Sequence, residues 1–192
     1  MKKLSRQDLI GLEQYSERRP KIRSEVIAHK KPRQIALGEH VRLLFEDRLT
    51  IQYQIQEMLR AERIFEAAAI QEELDAYNPL IPDGDNLKAT LLLEYEDVEQ
   101  RRVALEQLKG IEDRVYVRIG EKIIFAIADE DIERENDTKT ASVHFLRFQF
   151  DAGLVDRLRA GSAFFIGVDH AQYRAEVALD DLQRRALLAD FG

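Results

Sequence analysis

Three glutamates, Glu62, Glu66 and Glu73, fall on or beside the apolar stripe Ile51, Ile55, Met58, Phe65 and Ala69 when the segment Glu46 to Tyr77 is projected at the helical period. A carboxylate turned toward a core is costly unless it is paired, protonated or bound to a metal. A second spacing with chemical content is Glu25 and His29, four residues apart on one face of a predicted helix, a separation that suits either a shared metal or a local hydrogen bond. His144 is the third candidate. Strand alternation puts it on the same face as Leu146, Phe148 and Phe150, and an inward imidazole needs partners for both nitrogens.

Together these residues lead to the expectation of a carboxylate-rich metal site, with Glu62 and Glu66 on the helix and His29, Glu25 or His144 arriving from elsewhere. Oxygen and imidazole donors suit iron, manganese or zinc. The same residues also have a purely structural assignment. Glu62 and Glu66 would pair with Arg48, Arg63 or the cations of the first helices, and His144 would be satisfied by a carboxylate or a carbonyl. The paired Glu-x-x-His signature of di-iron helical bundles is missing.

Composition narrows the classes of function. The 192 residues contain no cysteine, which removes disulfides, thiolate metal sites, cysteine nucleophiles and any iron–sulfur cluster held by this chain alone. There is no G-x-S-x-G elbow, no phosphate-binding G-x-x-x-x-G-K and no G-x-G-x-x-G. No run of eighteen apolar residues occurs and the N-terminus lacks an apolar signal region, so a cytoplasmic protein without a membrane span is expected. The net charge of −7 conceals an asymmetry: Met1 to Arg48 holds twelve Lys/Arg against seven Asp/Glu, leaving −12 for the remainder. Such a basic start can meet an acidic surface, or it can be a solvated face; so acidic a chain is a poor nucleic-acid binder.

The elements that must position these residues are legible from punctuation. Ser5 with Asp8 three residues on reads as the start of a helix through about Arg18; Pro20 then suits the first position of a second helix ending near Lys31. Gln34 to Leu37 and His40 to Phe45 alternate around Gly38-Glu39, a hairpin with a positive φ at Gly38. Glu46 to Tyr77 carries no Gly or Pro and reads as one long helix or two in close succession. The turn-rich stretch Asn78 to Asn86 then separates a helical part, 1–87, from a strand-rich part, 88–192, the two forming one compact unit. Asp83, Asp85 and Asn86 in that stretch hint at calcium, but a turn explains them without it.

The second part reads as a duplication of strand, helix, strand, strand. Ala89–Tyr95, a helix capped by Asp97, Val115–Ile119 and Ile123–Ala128 form one copy. Val143–Phe150, a helix capped by Asp151, Ala163–Val168 and Tyr173–Ala178 form the other. Each closes on an acidic helix start, Asp129 to Asp131 and Asp180-Asp181. The acid run Asp129 to Asp137 lacks the central Gly of a calcium loop and is expected to be a solvated helix or loop. The expected fold is α+β: helices, a β-hairpin and one long helix, then the duplicated unit sharing a roughly six-stranded mixed or antiparallel sheet.

RPKIRSEVIAHKK, LLFEDRLTIQYQIQEMLRAERIFE, IQEELDAYNPLIPDG and ASVHFLRFQF resemble segments of a bacterial family labelled domain of unknown function 3501, over essentially the whole chain. The resemblance implies a context, because members tend to be encoded beside a rubrerythrin-like protein and a heterodisulfide-reductase-like iron–sulfur oxidoreductase. It implies no catalytic residue. Three expectations follow: a metal-binding or accessory component of an iron-linked redox or oxidative-stress system, a non-catalytic module docking on an iron–sulfur oxidoreductase, or a small metal-dependent enzyme with its site between the repeats.

Overall fold

A computed structural model describes residues 1–128 and 139–192. The chain opens with an extended segment and a short 3-10 turn at Arg6–Asp8, which Ser5 and Asp8 close in a capping box. Next comes α1, Leu12–Lys30, a single helix where two were expected. Pro20 lies inside it. The Ser16 carbonyl that would have accepted its missing N–H belongs to an exposed face, where water substitutes. Leu12, Tyr15, Arg19, Ile22, Val26 and His29, spaced alternately three and four apart, are the residues that α1 turns inward, all buried or half-buried. Such a narrow seam leaves most of the helix in solvent.

The hairpin follows as β1, Gln34–Leu37, and β2, Val41–Glu46, with Leu37 paired to Val41. Its loop is therefore Gly38 to His40, one residue longer than expected, and Gly38 has φ +73°. The Tyr173 hydroxyl lies where a Cβ on Gly38 would stand, a second reason for glycine there.

Of the two readings of Glu46 to Tyr77, one long helix or two in close succession, the structure has the second: α2, Arg48–Glu62, and α3, Ala67–Tyr77. Asp47 starts α2 by accepting from the Thr50 amide while the Thr50 hydroxyl accepts from the Asp47 amide. Arg63 ends it in the left-handed region, φ 57°, and the Ile64 amide reaches back to the Leu59 carbonyl. That closure turns Ile64 onto a small core of Leu4, Ile51, Ile55, Leu59, Leu74 and Ile81. Two side-chain amides tie the N-terminal segment over this core. Asn78 bonds both backbone groups of Leu4, and Gln56 both of Ile10.

The remaining elements are β3, Asn86–Leu93; α4, Val98–Gln107; β4, Val115–Ile119; β5, Lys122–Phe125; β6, Ile127–Ala128; β7, Val143–Gln149; α5, Ala152–Arg159; β8, Phe164–His170; β9, Tyr173–Ala178; and α6, Asp181–Leu188. The strands divide between two antiparallel sheets, ordered β1-β2-β3-β7-β6 and β5-β4-β8-β9, where the sequence suggested a shared one. The duplication explains the division. β3 pairs with β7 in one sheet and β4 with β8 in the other, so each central ladder joins equivalent strands of the two copies. The copies part at Ala126. There the first copy's last strand leaves β4 and adds Ile127–Ala128 to β7, whereas β9 stays beside β8.

Both sheets face one core, to which β2 gives Leu43 and Phe45, β7 Leu146 and Phe148, β4 Val117, β8 Ile166, and the helices Leu105, Leu158 and Leu187. Each such side chain withdrawn from water contributes about 1.5–3 kcal/mol before chain entropy is charged against it. Residue 88 lies within β3, and the hairpin of the first part extends the sheet of the second. The expected helix start at Asp129 to Asp131, and the rest of the acid run, lie outside the described residues.

Candidate functional site

The structure distributes the sequence-predicted metal residues among separate neighbourhoods. Glu62 and Glu66 are exposed at the elbow between α2 and α3, and Phe65 between them is 67% exposed. Glu73 is half-buried on α3, and its carboxyl is raised by burial and by the charges of Glu62 and Glu72. Glu25 faces solvent 3.9 Å from Lys21. His29 turns away from Glu25, its Nε2 donating to Asp47 Oδ2 at 2.5 Å. His144 points inward, as alternation requires, with Nε2 at 2.9 Å from both the Thr140 hydroxyl and the Ala141 carbonyl and 3.7 Å from Glu112. Among the described residues no three His, Asp or Glu side chains are arranged to hold a metal ion. Asp83, Asp85 and Asn86 form a turn closed by the Asn86 amide, with Lys3 2.7 Å from Asp83.

A different cluster gathers the buried charge. Arg33, held between α1 and β1, is 2% exposed and shared by two carboxylates. Its terminal nitrogens fork onto Asp190, with one bond of 3.0 Å, and also reach the Ala186 carbonyl, while Nε lies 3.1 Å from Asp47 Oδ2. Asp47 is thus at once the cap of α2, the acceptor of His29 and a partner of Arg33. Beside it Glu46 accepts from the Thr50 and Thr90 hydroxyls. The cluster ties α1, β2, α2 and the C-terminal end of the chain together.

One guanidinium cannot balance two carboxylates, and the consequences differ between them. Burial would raise Asp47, but Arg33, the Thr50 amide and His29 outweigh it and leave the group low. Asp190 goes the other way, pushed up to about 7 by burial and by Asp47's charge, which Arg33 only partly offsets. Sequence reading missed both, because Arg33 and Asp190 are far apart in the chain and neither has a distinctive neighbour. The available signal was Asp47 standing directly before an apolar helical run.

A second internal tie joins α1 to α2. Tyr15, 1% exposed, donates to Glu57 at 2.5 Å while Arg19 forks onto the same carboxylate at 2.8 Å. Arg19 and the Tyr15 hydroxyl, despite partial burial, hold Glu57 below its usual range, and burial with Glu57's charge raises Tyr15. On the outer face of the second sheet Arg118 makes a comparable fork onto Glu176, stacked 3.9 Å over Phe165. Tyr116 joins the same carboxylate and lies across Gly167, where any Cβ would collide with its ring.

The fold and these ties define a two-sheet α+β protein whose helical hairpin is closed by half-buried ion pairs and anchored at Asp47 by a buried one. The family model described as "Protein of unknown function (DUF3501)" matches residues 3–191, and the chain belongs to that family. A crystal structure of a novel protein of unknown function from Burkholderia pseudomallei is similar at 49% identity and a TM-score of 0.94, covering all of both chains. Among curated proteins nothing matches. No helix of the described residues is long and apolar enough to cross a membrane.

Proposed function

We propose that the protein is a non-catalytic accessory component of an iron-linked redox system in the cytoplasm, acting by binding an iron–sulfur oxidoreductase or a rubrerythrin-like protein. The observation that carries this reading is how the buried ionisable groups are used. Asp190, a carboxyl pushed up to about 7, is 1% exposed and faces Arg33 instead of a cleft, so no substrate meets it. Asp47, Glu46 and Glu57 are likewise spent on partners within the chain. Such groups hold a scaffold in one arrangement, and a rigid scaffold suits a protein that presents a surface. The redox context comes from the family resemblance.

A second reading is a cation drawn to the exposed carboxylates of Glu62 and Glu66, beside which Glu73 is raised first by burial and then by the charges of Glu62 and Glu72. Two measurements on anaerobically purified, untagged protein separate the readings. Calorimetric titration with the oxidoreductase and the rubrerythrin-like protein of the same organism should give saturable binding. Elemental analysis should give substoichiometric iron, manganese and zinc, unchanged in Glu62→Ala and His144→Ala. Near-stoichiometric metal lost in Glu62→Ala, without partner binding, would replace the first reading by the second.

A further inference from the structure

The small core beneath the N-terminal segment is not closed at its end. A cleft of about 550 Å³ opens there, lined by Leu9, Leu12, Leu59, Ile64, Phe65 and Ile70. Leu59 belongs to that core, and Leu9, Leu12, Ile64 and Ile70 pack against it half-buried. Phe65 is 67% exposed. The volume falls within the range of small-molecule sites, roughly 300–1,000 Å³. Bonds that no ligand has to supply fix the walls. Gln56 holds both backbone groups of Ile10, and the Ile64 amide donates to the Leu59 carbonyl, so the cleft is formed before anything enters it.

The charge lining this cleft has one sign. Arg6 is the only charged lining residue among those described, and its guanidinium has no ion-pair or hydrogen-bond partner among them. Asp8, two residues on, is engaged with Ser5 and Arg48. Gly11 and Leu12 bring the first turn of α1 to the same cleft, and no side chain caps that helix, so its positive end adds to Arg6. Glu62 and Glu66 flank the elbow without lining the cleft, and Glu66 accepts from the Phe65 amide at 3.4 Å. Two other surface clefts differ in this respect. One is bordered by Arg174 with Asp169 and the other by Arg42 with Glu94, pairs already joined within the chain.

We infer that the cleft beside Arg6 binds a straight-chain fatty carboxylate. The acyl chain lies over Leu9, Leu59, Ile64 and Phe65, where each methylene leaves water for an apolar wall. The carboxylate stays at the wet edge beside Arg6, whose planar fork suits two oxygens, and beside the open amides of α1. A cation in that place disfavours a long-chain amine by repulsion and an alcohol by finding no counter-charge on it. The inference goes beyond the accessory reading and does not depend on which protein partner is bound.

The test titrates the isotope-labelled full chain with sodium hexanoate, octanoate, decanoate and dodecanoate, each below its micellar concentration. Saturable amide shifts are expected at residues 6–12, 59 and 64–70. Affinity should rise by up to about fourfold per added CH₂ until the cleft is full. Phe65→Asp should weaken decanoate binding by about tenfold or more. Arg6→Gln should weaken it about fivefold and cancel the preference for decanoate over decanol. Both residues are exposed, so the variants should keep the native spectrum. Leu182→Asp, at an exposed apolar residue on α6, should change nothing. The site is overturned if affinity does not depend on chain length, if decanol or decylamine binds the wild type as tightly as decanoate, or if the shifts fall elsewhere. Phosphatidylglycerol vesicles that engage Phe65 where decanoate does not would replace it by a membrane contact.

Discussion

Two arginine forks in this molecule have similar geometry and opposite surroundings. Arg33 meets Asp190 and Asp47 in an interior where all three side chains are under one-tenth exposed, while Arg118 meets Glu176 on an open sheet face with both partners about a quarter to a third exposed. In water the second pair gives up little solvation when it forms and little when it breaks. The first has already lost its solvation, so what matters is whether its charges balance. At Asp190 Arg33 and the N-terminal amine do not offset burial and the charge of Asp47, and its carboxyl is raised, whereas Glu176 is simply lowered by the Arg118 fork despite some burial.

The largest expected effect comes from removing the buried cation. Arg33→Met leaves two carboxylates facing each other without a guanidinium and should destabilise the fold by about 3 kcal/mol or more, read as the shift in urea midpoint at pH 7. Adding Asp190→Asn to Arg33→Met should recover part of that loss. A loss below about 1 kcal/mol for Arg33→Met would mean that the cluster does not behave as a desolvated one.

A smaller effect follows from pH. Asp190 has a folded-state value raised from 3.8 to about 7, so its protonated form is favoured by folding. The associated stability is fully present below about pH 4 and is lost as pH rises toward 7. Asp47 is lowered and works in the other direction, with stability present above its ordinary range and lost as pH falls through its depressed value. Between pH 5 and 8 the wild type should therefore lose on the order of 2 kcal/mol, and Asp190→Asn should be nearly flat over that window. Thermal unfolding at several pH values reads the difference, and equal slopes in the two proteins would refute the assignment.

The contrast between the forks also separates what could be read in the sequence from what could not. Elements punctuated by local chemistry were legible. Asp97, Asp151 and Asp180 each cap a helix by accepting from the amide three residues on, and Gly120 turns β4 into β5. The duplication was visible because each copy repeats those signals. The position of the break at Arg63 was not, since the left-handed closing residue is ordinarily glycine and here carries a full side chain. Pro20 misled for a related reason: its cost in a helix interior is tolerated where the orphaned carbonyl is wet. The candidate site suffered most. Glu62 and Glu66 were projected along one stripe; the break after Glu62 takes Glu66 off that projection and leaves Glu62 as the exposed last residue of α2. The clusters that do form pair residues from distant parts of the chain, and spacing along a single sequence cannot show such meetings.

The smallest expected effect completes the comparison. Arg118→Ala removes a two-bond fork, a bond to the Gly120 carbonyl and a stacking contact on Phe165. Its partners stay at the surface, however, where water can replace the guanidinium at Glu176 and the freed carbonyl. The melting temperature should shift by no more than about 2 °C at moderate salt, and by less as salt screens the pair. A shift as large as that of Arg33→Met would show that the open face is covered in solution, because only an excluded solvent makes an exposed fork as costly to break as a buried one.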